Sequence, residues 1–298
     1  MKKILIVIIS FIWGLTSISA QVNLSFNPEK GKKYEYNTKS ASIGKSIVMG
    51  QEIPVEMIMS MKYMMEVIDK KPQETTVRFT YGEIAYLVSN PMMKMEYDSK
   101  NPSENSSEFD KLLHKMFDKM LSQSFLAVIT TNGSIISITG MDAIAESMTN
   151  AIANDGQFGA MIGEQMKQQF SDAATKSMFE QAFKIYPDNA IKAGNSWNFE
   201  NTMVANEMNS TFRTKYTLKE LVKNVATISV ESQIEMTPIA AEGKLNGVQT
   251  GTITVDAKTG IPLKSEINQD VKGTVKMQGM DILTETASKT ISTITEVK

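Results

Sequence analysis

Five methionines fall between Val55 and Met65, in the stretch VEMIMSMKYMM, within a chain of 298 residues that holds 22 methionines, one histidine and no cysteine. Thioethers on that scale suit three kinds of chemistry. They can form an apolar wall that adapts to ligands of variable shape, present soft donors to Cu(I), or fill a core as leucine would. Counting by twos along a strand puts Met57, Met59, Met61, Tyr63 and Met65 on one face, with Ile58, Ser60, Lys62, Met64 and Glu66 on the other. Same-face neighbours on a strand stand ~6.5–7 Å apart, too spread to converge on one ion without help from other segments. No metal and no cofactor is therefore expected. The groove and core readings overlap, because a groove is a core left partly open.

Other candidate chemistry is sparse. His114 sits on a helical stretch with Asp110 and Asp118 four residues to either side, which reads as a solvated face with charge pairs, since zinc usually needs three or four protein ligands. The sequence contains no G-x-S-x-G, H-E-x-x-H or phosphate-loop pattern, so no catalytic residue is assigned and a non-enzymatic role is expected. Paired carboxylates far apart in sequence leave no local trace. Asp98 in YDS and Asp256 in DAKTG read as turn residues.

These residues need elements to hold them, and two β-patterned stretches flank a helical block. GKKYEY at 31–36 and GNSWNF at 194–199 each set a glycine three residues before an aromatic, with a second aromatic two further on. KYMMEV from Lys62 parallels KYTLKE from Lys215, TVRFT from Thr76 parallels TISVE from Thr227, and VITTNGSIIS from Val128 parallels TITVDAKTGIPLKS from Thr252. We read a degenerate duplication of a β unit, with hairpins at Asn132-Gly133 and DAKTG and a further turn at Asn246-Gly247. Between the halves the period changes to 3.6. After the cap Ser107, residues Phe109, Leu112, Leu113, Met116, Phe117, Met120 and Leu121 form one helical stripe. Further helices are expected from near Asp142, over MIGEQMKQQF, and from Ser171-Asp172 with Met178, Phe179, Ala182 and Phe183 facing inward. The expected fold is α+β: one domain over 21–298, a curved, mostly antiparallel sheet packed on amphipathic helices at about 107–186. The expected ligand face is Met57, Met59, Met61, Tyr63 and Met65, closed by Met116 and Met120.

The order GKKYEY, GQEIPVEM, MEYDSKNPS, a helical block, IYPDNAIKAGNSW and GVQTGTITVDAKTGIPLKSE resembles an uncharacterised secreted family from Bacteroidetes, known only as a domain of unknown function. That resemblance implies export and one integrated module, and supplies no activity or site residues. At the level of architecture the chain also resembles periplasmic lipoprotein carriers of the LolA and LolB type.

Residues 1–20, MKKILIVIISFIWGLTSISA, have two lysines, an apolar run and small residues before Ala20, the pattern of a cleaved signal peptide without a lipid-accepting cysteine. A periplasmic or secreted protein beginning at Gln21 is expected, with no other span. There are 31 basic against 33 acidic residues, two of the lysines in the leader, so a nucleic-acid surface is not expected. The expected partner is a lipid, a lipidated segment or an apolar peptide, and the alternative is an envelope interaction module whose methionines are only core. The sequence assigns no oligomeric state.

Overall fold

Alternating burial along the β-patterned stretches produces strands long enough to need glycine and bulges to bend them. The computed structural model describes residues 21–101, 107–205, 208–277 and 279–297, so the expected leader and the loop residues 102–106 lie outside the described residues. In chain order come β1 (Lys33–Val48), β2 (Gln51–Lys70), β3 (Glu74–Ser89), β4 (Lys94–Asp98), α1 (Glu108–Phe117), β5 (Ser124–Thr130) and β6 (Ile135–Thr139). Then follow α2 (Met141–Ile152), α3 (Gly156–Gln169), α4 (Asp172–Phe183), β7 (Ser196–Ala205), β8 (Met208–Val222), β9 (Val225–Pro238), β10 (Glu242–Asp256), β11 (Pro262–Met277) and β12 (Met280–Glu296). All twelve strands form one unclosed antiparallel sheet in the order β6-β5-β3-β2-β1-β12-β11-β10-β9-β8-β7, with β4 beside β5 on the same edge of β3.

The order contains the duplication. β6-β5-β3-β2-β1 and β11-β10-β9-β8-β7 are the same five-strand meander laid side by side, and β12 joins them between β1 and β11. Both copies skip one residue at the same point, between Val67 and Asp69 against β3 and between Leu218 and Glu220 against β9. The Gly31 N–H donates to the Val67 carbonyl as the Gly194 N–H donates to that of Leu218. Met65 therefore occupies the place of Tyr216, two residues from the alignment that KYMMEV and KYTLKE suggest. A shift of two leaves every side chain on its face.

One expected turn is absent. Asn246 and Gly247 lie inside β10, opposite Lys272 and Val271. A Cβ on Gly247 would stand 2.5 Å from the Asp270 carbonyl oxygen and 2.8 Å from the Val271 side chain, so this glycine serves close strand approach rather than a hairpin.

The core fills the sheet's inner face at the end where β2 and β3 turn. Phe79 meets Phe125 at 5.3 Å and Phe179 at 4.9 Å, and Tyr63 lies 5.6 Å from Tyr36. α4 packs against both sheet edges, β6 and β7, and so spans the gap that the sheet leaves open. Phe179 and Phe183 point inward as the helical period requires, but Met178 is exposed. α1 stops at Phe117, short of the expected Leu121, yet Met120 in the following turns is fully buried. α3 starts at Gly156, earlier than the expected MIGEQMKQQF.

The α1 cap couples helix to sheet. Ser107 and Asp110 form a reciprocal capping box, and Asp110 also accepts the Glu96 N–H of β4 at 2.7 Å. Desolvation pushes the Asp110 carboxyl up, but the N–H of Glu96 and the contacts from Ser107 outweigh it and hold the group below the usual carboxylate range. A depressed folded pKa contributes stability above the unfolded value of about 3.9, and that contribution disappears as pH falls through the folded value. Asp110→Asn should therefore cost about 1–2 kcal/mol at pH 7. In urea titrations the gap from wild type should narrow as pH falls through the depressed folded value, below which both chains carry a neutral group.

Candidate functional site

The register of β1 and β2 places Met65, Tyr63, Met61, Met59, Met57, Val55 and Ile53 in one row on the inner face, opposite Tyr34, Tyr36, Thr38, Ser40, Ser42, Gly44 and Ser46. Burial falls from Met65 to Met57, and Val55 and Ile53 beyond it are half-buried. Met65 is fully buried, Tyr63 and Met61 are buried, Met59 is half-buried against the core, and Met57 is 40% exposed. Met116 and Met120 join the sealed part, in the same core cluster as Met61, Tyr63 and Met65. The five expected strand residues thus share one face, with Met116 of α1 and Met120 of the following turn packed over its sealed end, and only Met57 and Met59 lie beyond the fully buried part.

Beyond that line the floor of the inner face changes character. β1 and β12 pair hydroxyl with hydroxyl: Thr38 with Ser292 at 3.1 Å, Ser40 with Thr290 at 3.0 Å, and Ser46 with Thr284 at 3.4 Å. On the far side Phe212, Ile234 and Val271 form a second buried cluster with Met203, Met236 and Leu245 against it, although they belong to strands alone. Gly247, between Ile234 and Val271 in the ladder, lets the side chains of flanking strands meet over it. The uncovered inner face is therefore a hydroxyl floor between two apolar flanks, Met57 and Val55 on one side and the Phe212 cluster on the other. Period-two counting finds the Met57 flank. Nothing local in sequence marks the other, because it needs the register of four strands.

Outside the sheet, a depression of ≈ 760 Å³ is lined by Ile43, Pro54 and Val248 together with Lys45, Glu52 and Asp270. Lys45 pairs with Glu52 and Glu285. A bound acyl chain would strip water from these charges, which makes this hollow a poor host for one. The remaining outer-face pairs, such as Lys62 with Glu35 and Glu83, are solvated and contribute little.

His114 packs edge-on against Tyr97 at 4.8 Å, a correction to the solvent-facing position expected, and Asp118 accepts the Tyr97 hydroxyl at 2.8 Å. Among the described residues no three of His, Cys, Asp or Glu are placed to hold a metal. Burial pushes the phenols of Tyr63, Tyr81 and Tyr216 well up, so they stay protonated. Asp98 and Asp256 accept N–H bonds from the residues two and three ahead, as turn residues do. Among the described residues no helix is long and apolar enough to cross a membrane.

Comparison with known proteins gives a family and a few remote likenesses in architecture. The lipovitellin structure described by its lipid–protein interactions shares 12% identity at a TM-score of 0.46, over 91% of this chain and 26% of that one. An outer membrane channel from Pseudomonas putida F1 shares 8% identity at a TM-score of 0.26, over 89% and 96% of the two chains. The chain thus spans about a quarter of the lipovitellin chain's length. No curated protein matches. A model of a family of unknown function matches residues 72–262.

Proposed function

The chain belongs to that family, DUF6263, and from this premise we propose that it is an exported, non-enzymatic protein that binds a hydrophobic ligand on the uncovered inner face of its sheet. One observation carries the reading: the methionine row passes without a break from fully buried Met65 to exposed Met57, so the core's apolar wall continues into solvent. An acyl chain laid along Met57, Val55 and Ile53 would extend the core, and the hydroxyls of β1 and β12 would lie under its polar end. Methionine suits such a wall because it repacks around chains of different length.

A fluorescent fatty acid should bind the native protein saturably and be displaced by a lipid extract. At roughly 25 cal/mol per Å² of apolar surface removed from water, a partly enclosed chain reaches about micromolar affinity after ordering costs. Linear, non-saturating fluorescence with no displacement would remove the proposal.

A further inference from the structure

Three turns at the far end of the sheet carry exposed apolar residues that the core-end turns lack, whereas the β11–β12 turn there reads Gln278-Gly279. At the core end the chain reverses through Lys71-Pro72-Gln73, Thr131-Asn132-Gly133, Lys223-Asn224 and Lys258-Thr259-Gly260, all built from ordinary turn residues. At the other end the β1–β2 turn is Met49-Gly50, the β3–β4 turn contains Met92 and Met93, and the β9–β10 turn begins at Ile239. Met49 is 83% exposed, Met92 80% and Ile239 54%.

Met49 goes against two preferences at once. Its φ is +51° and that of Gly50 is +79°, the paired positive values of a two-residue hairpin turn whose first position favours Asn, Asp or Gly. The core-end turn at Lys223-Asn224, with φ of +55° and +98°, is polar. A large apolar side chain therefore stands in water on a backbone that disfavours it. Asn90 holds Met92 out in a similar way, its side-chain oxygen accepting the N–H groups of Met92 and Met93 at 2.8 and 2.9 Å.

Two of these tips are also level with each other, while the β11–β12 hairpin between them pairs one residue further, to Met277 and Met280. Ser46, Thr284, Gly273, Leu245 and Met236 form one continuous row across five strands. Met49 and Ile239 each lie three residues beyond that row, on hairpins separated by β12 and β11. Charges near the rim cancel locally, Lys45 with Glu52, Lys276 with Glu242 and Lys244 with Glu235.

We propose that this rim docks on a lipid surface, with Met49 and Ile239 entering the boundary between headgroups and acyl chains. Single apolar tips on separate hairpins match a fluid partner that admits each one independently, whereas a protein partner would require one continuous shaped patch. Local charge cancellation implies docking to uncharged lipid with little dependence on salt. The rim borders the uncovered inner face, so docking would bring a lipid store to the mouth of the proposed binding face. The docking claim does not depend on that binding.

Flotation of the exported protein with vesicles of uncharged phosphatidylcholine, at low and high salt, tests it. Wild type should float with the vesicles in both, and Met49→Asn with Ile239→Ser should weaken the partition by about tenfold or more, because two apolar side chains no longer leave water. Met49→Asn fits the turn better than methionine, so loss of folding will not imitate the effect. Val222→Ser, an exposed valine at the core end, should float as wild type does. Equal flotation of the rim variant and wild type would overturn the inference. So would absence of wild-type flotation, binding only to anionic vesicles that salt abolishes, or a dimer that the rim variant dissolves. Fatty-acid binding in solution should be unchanged in the rim variant, which separates failure of this inference from failure of the ligand reading.

Discussion

Met65→Asp should abolish cooperative unfolding at ordinary temperature. Met65 is fully buried between Tyr34 of β1 and Phe79 of β3, and among the described residues no lysine, arginine or histidine is buried to pair with a new carboxylate. An unpaired buried charge costs several kcal/mol, a large share of the ~5–15 kcal/mol that holds a domain together. Met57→Asp, eight residues away on the same strand face, should stay within about 0.5–1 kcal/mol of wild type because its side chain already meets water. Far-UV circular dichroism melts read both. Similar melts for the two variants would mean that burial along the row is not graded.

The second large effect lies at the hairpin glycines, where the two copies of the β unit hold each other. Gly133, in the first copy's hairpin, sits against the segment leading into the second: a Cβ there would be 1.8 Å from the Phe183 carbonyl oxygen. Gly260, in the second copy's hairpin, sits against the segment leading into the first, with a Cβ 1.9 Å from the Ser25 carbonyl oxygen. The Phe26 N–H donates to Thr131, the Asn27 N–H donates to Thr259, and the Tyr186 hydroxyl donates to the Gly260 carbonyl. Both glycines have positive φ, +81° and +70°. Gly260→Ala should therefore cost on the order of 3 kcal/mol or more, through strain at φ and displacement of the Ser25–Phe26 backbone that carries the buried Leu24 and Phe26 side chains. An unfolding free energy from urea titration within about 0.5 kcal/mol of wild type would contradict this crossed packing.

Legibility in the sequence followed the range of the forces involved. The paired glycine–aromatic stretches and the Thr76/Thr227 match identified the duplication because each copy must bury the same face of the same meander. The Ser107 and Ser171 caps marked helix starts because capping is settled within one turn. Asn246-Gly247 misled because glycine permits both a hairpin and a close approach of strands, and only the register against Val271 decides between them. Met178 faces outward, although the period of its neighbours includes it, because α4 closes the sheet gap through Phe179 and Phe183. Strand β12 was legible as a strand but not as the joint between copies, since its alternating threonines bury too little to name a partner. The Met57 to Met65 face was legible by counting, whereas its grading was not, because it depends on where α1 and the helices after it stop covering it.

Whether that exposed end takes a ligand is tested most directly by titrating a fluorescent fatty acid into wild type, Met57→Leu and Met57→Asp, with each variant's fold checked by circular dichroism. The proposed binding face predicts saturable binding to wild type and Met57→Leu, and loss of about tenfold or more in affinity for a folded Met57→Asp, because the chain would have to desolvate a carboxylate. Equal binding to all three folded proteins, or binding to none, would contradict it.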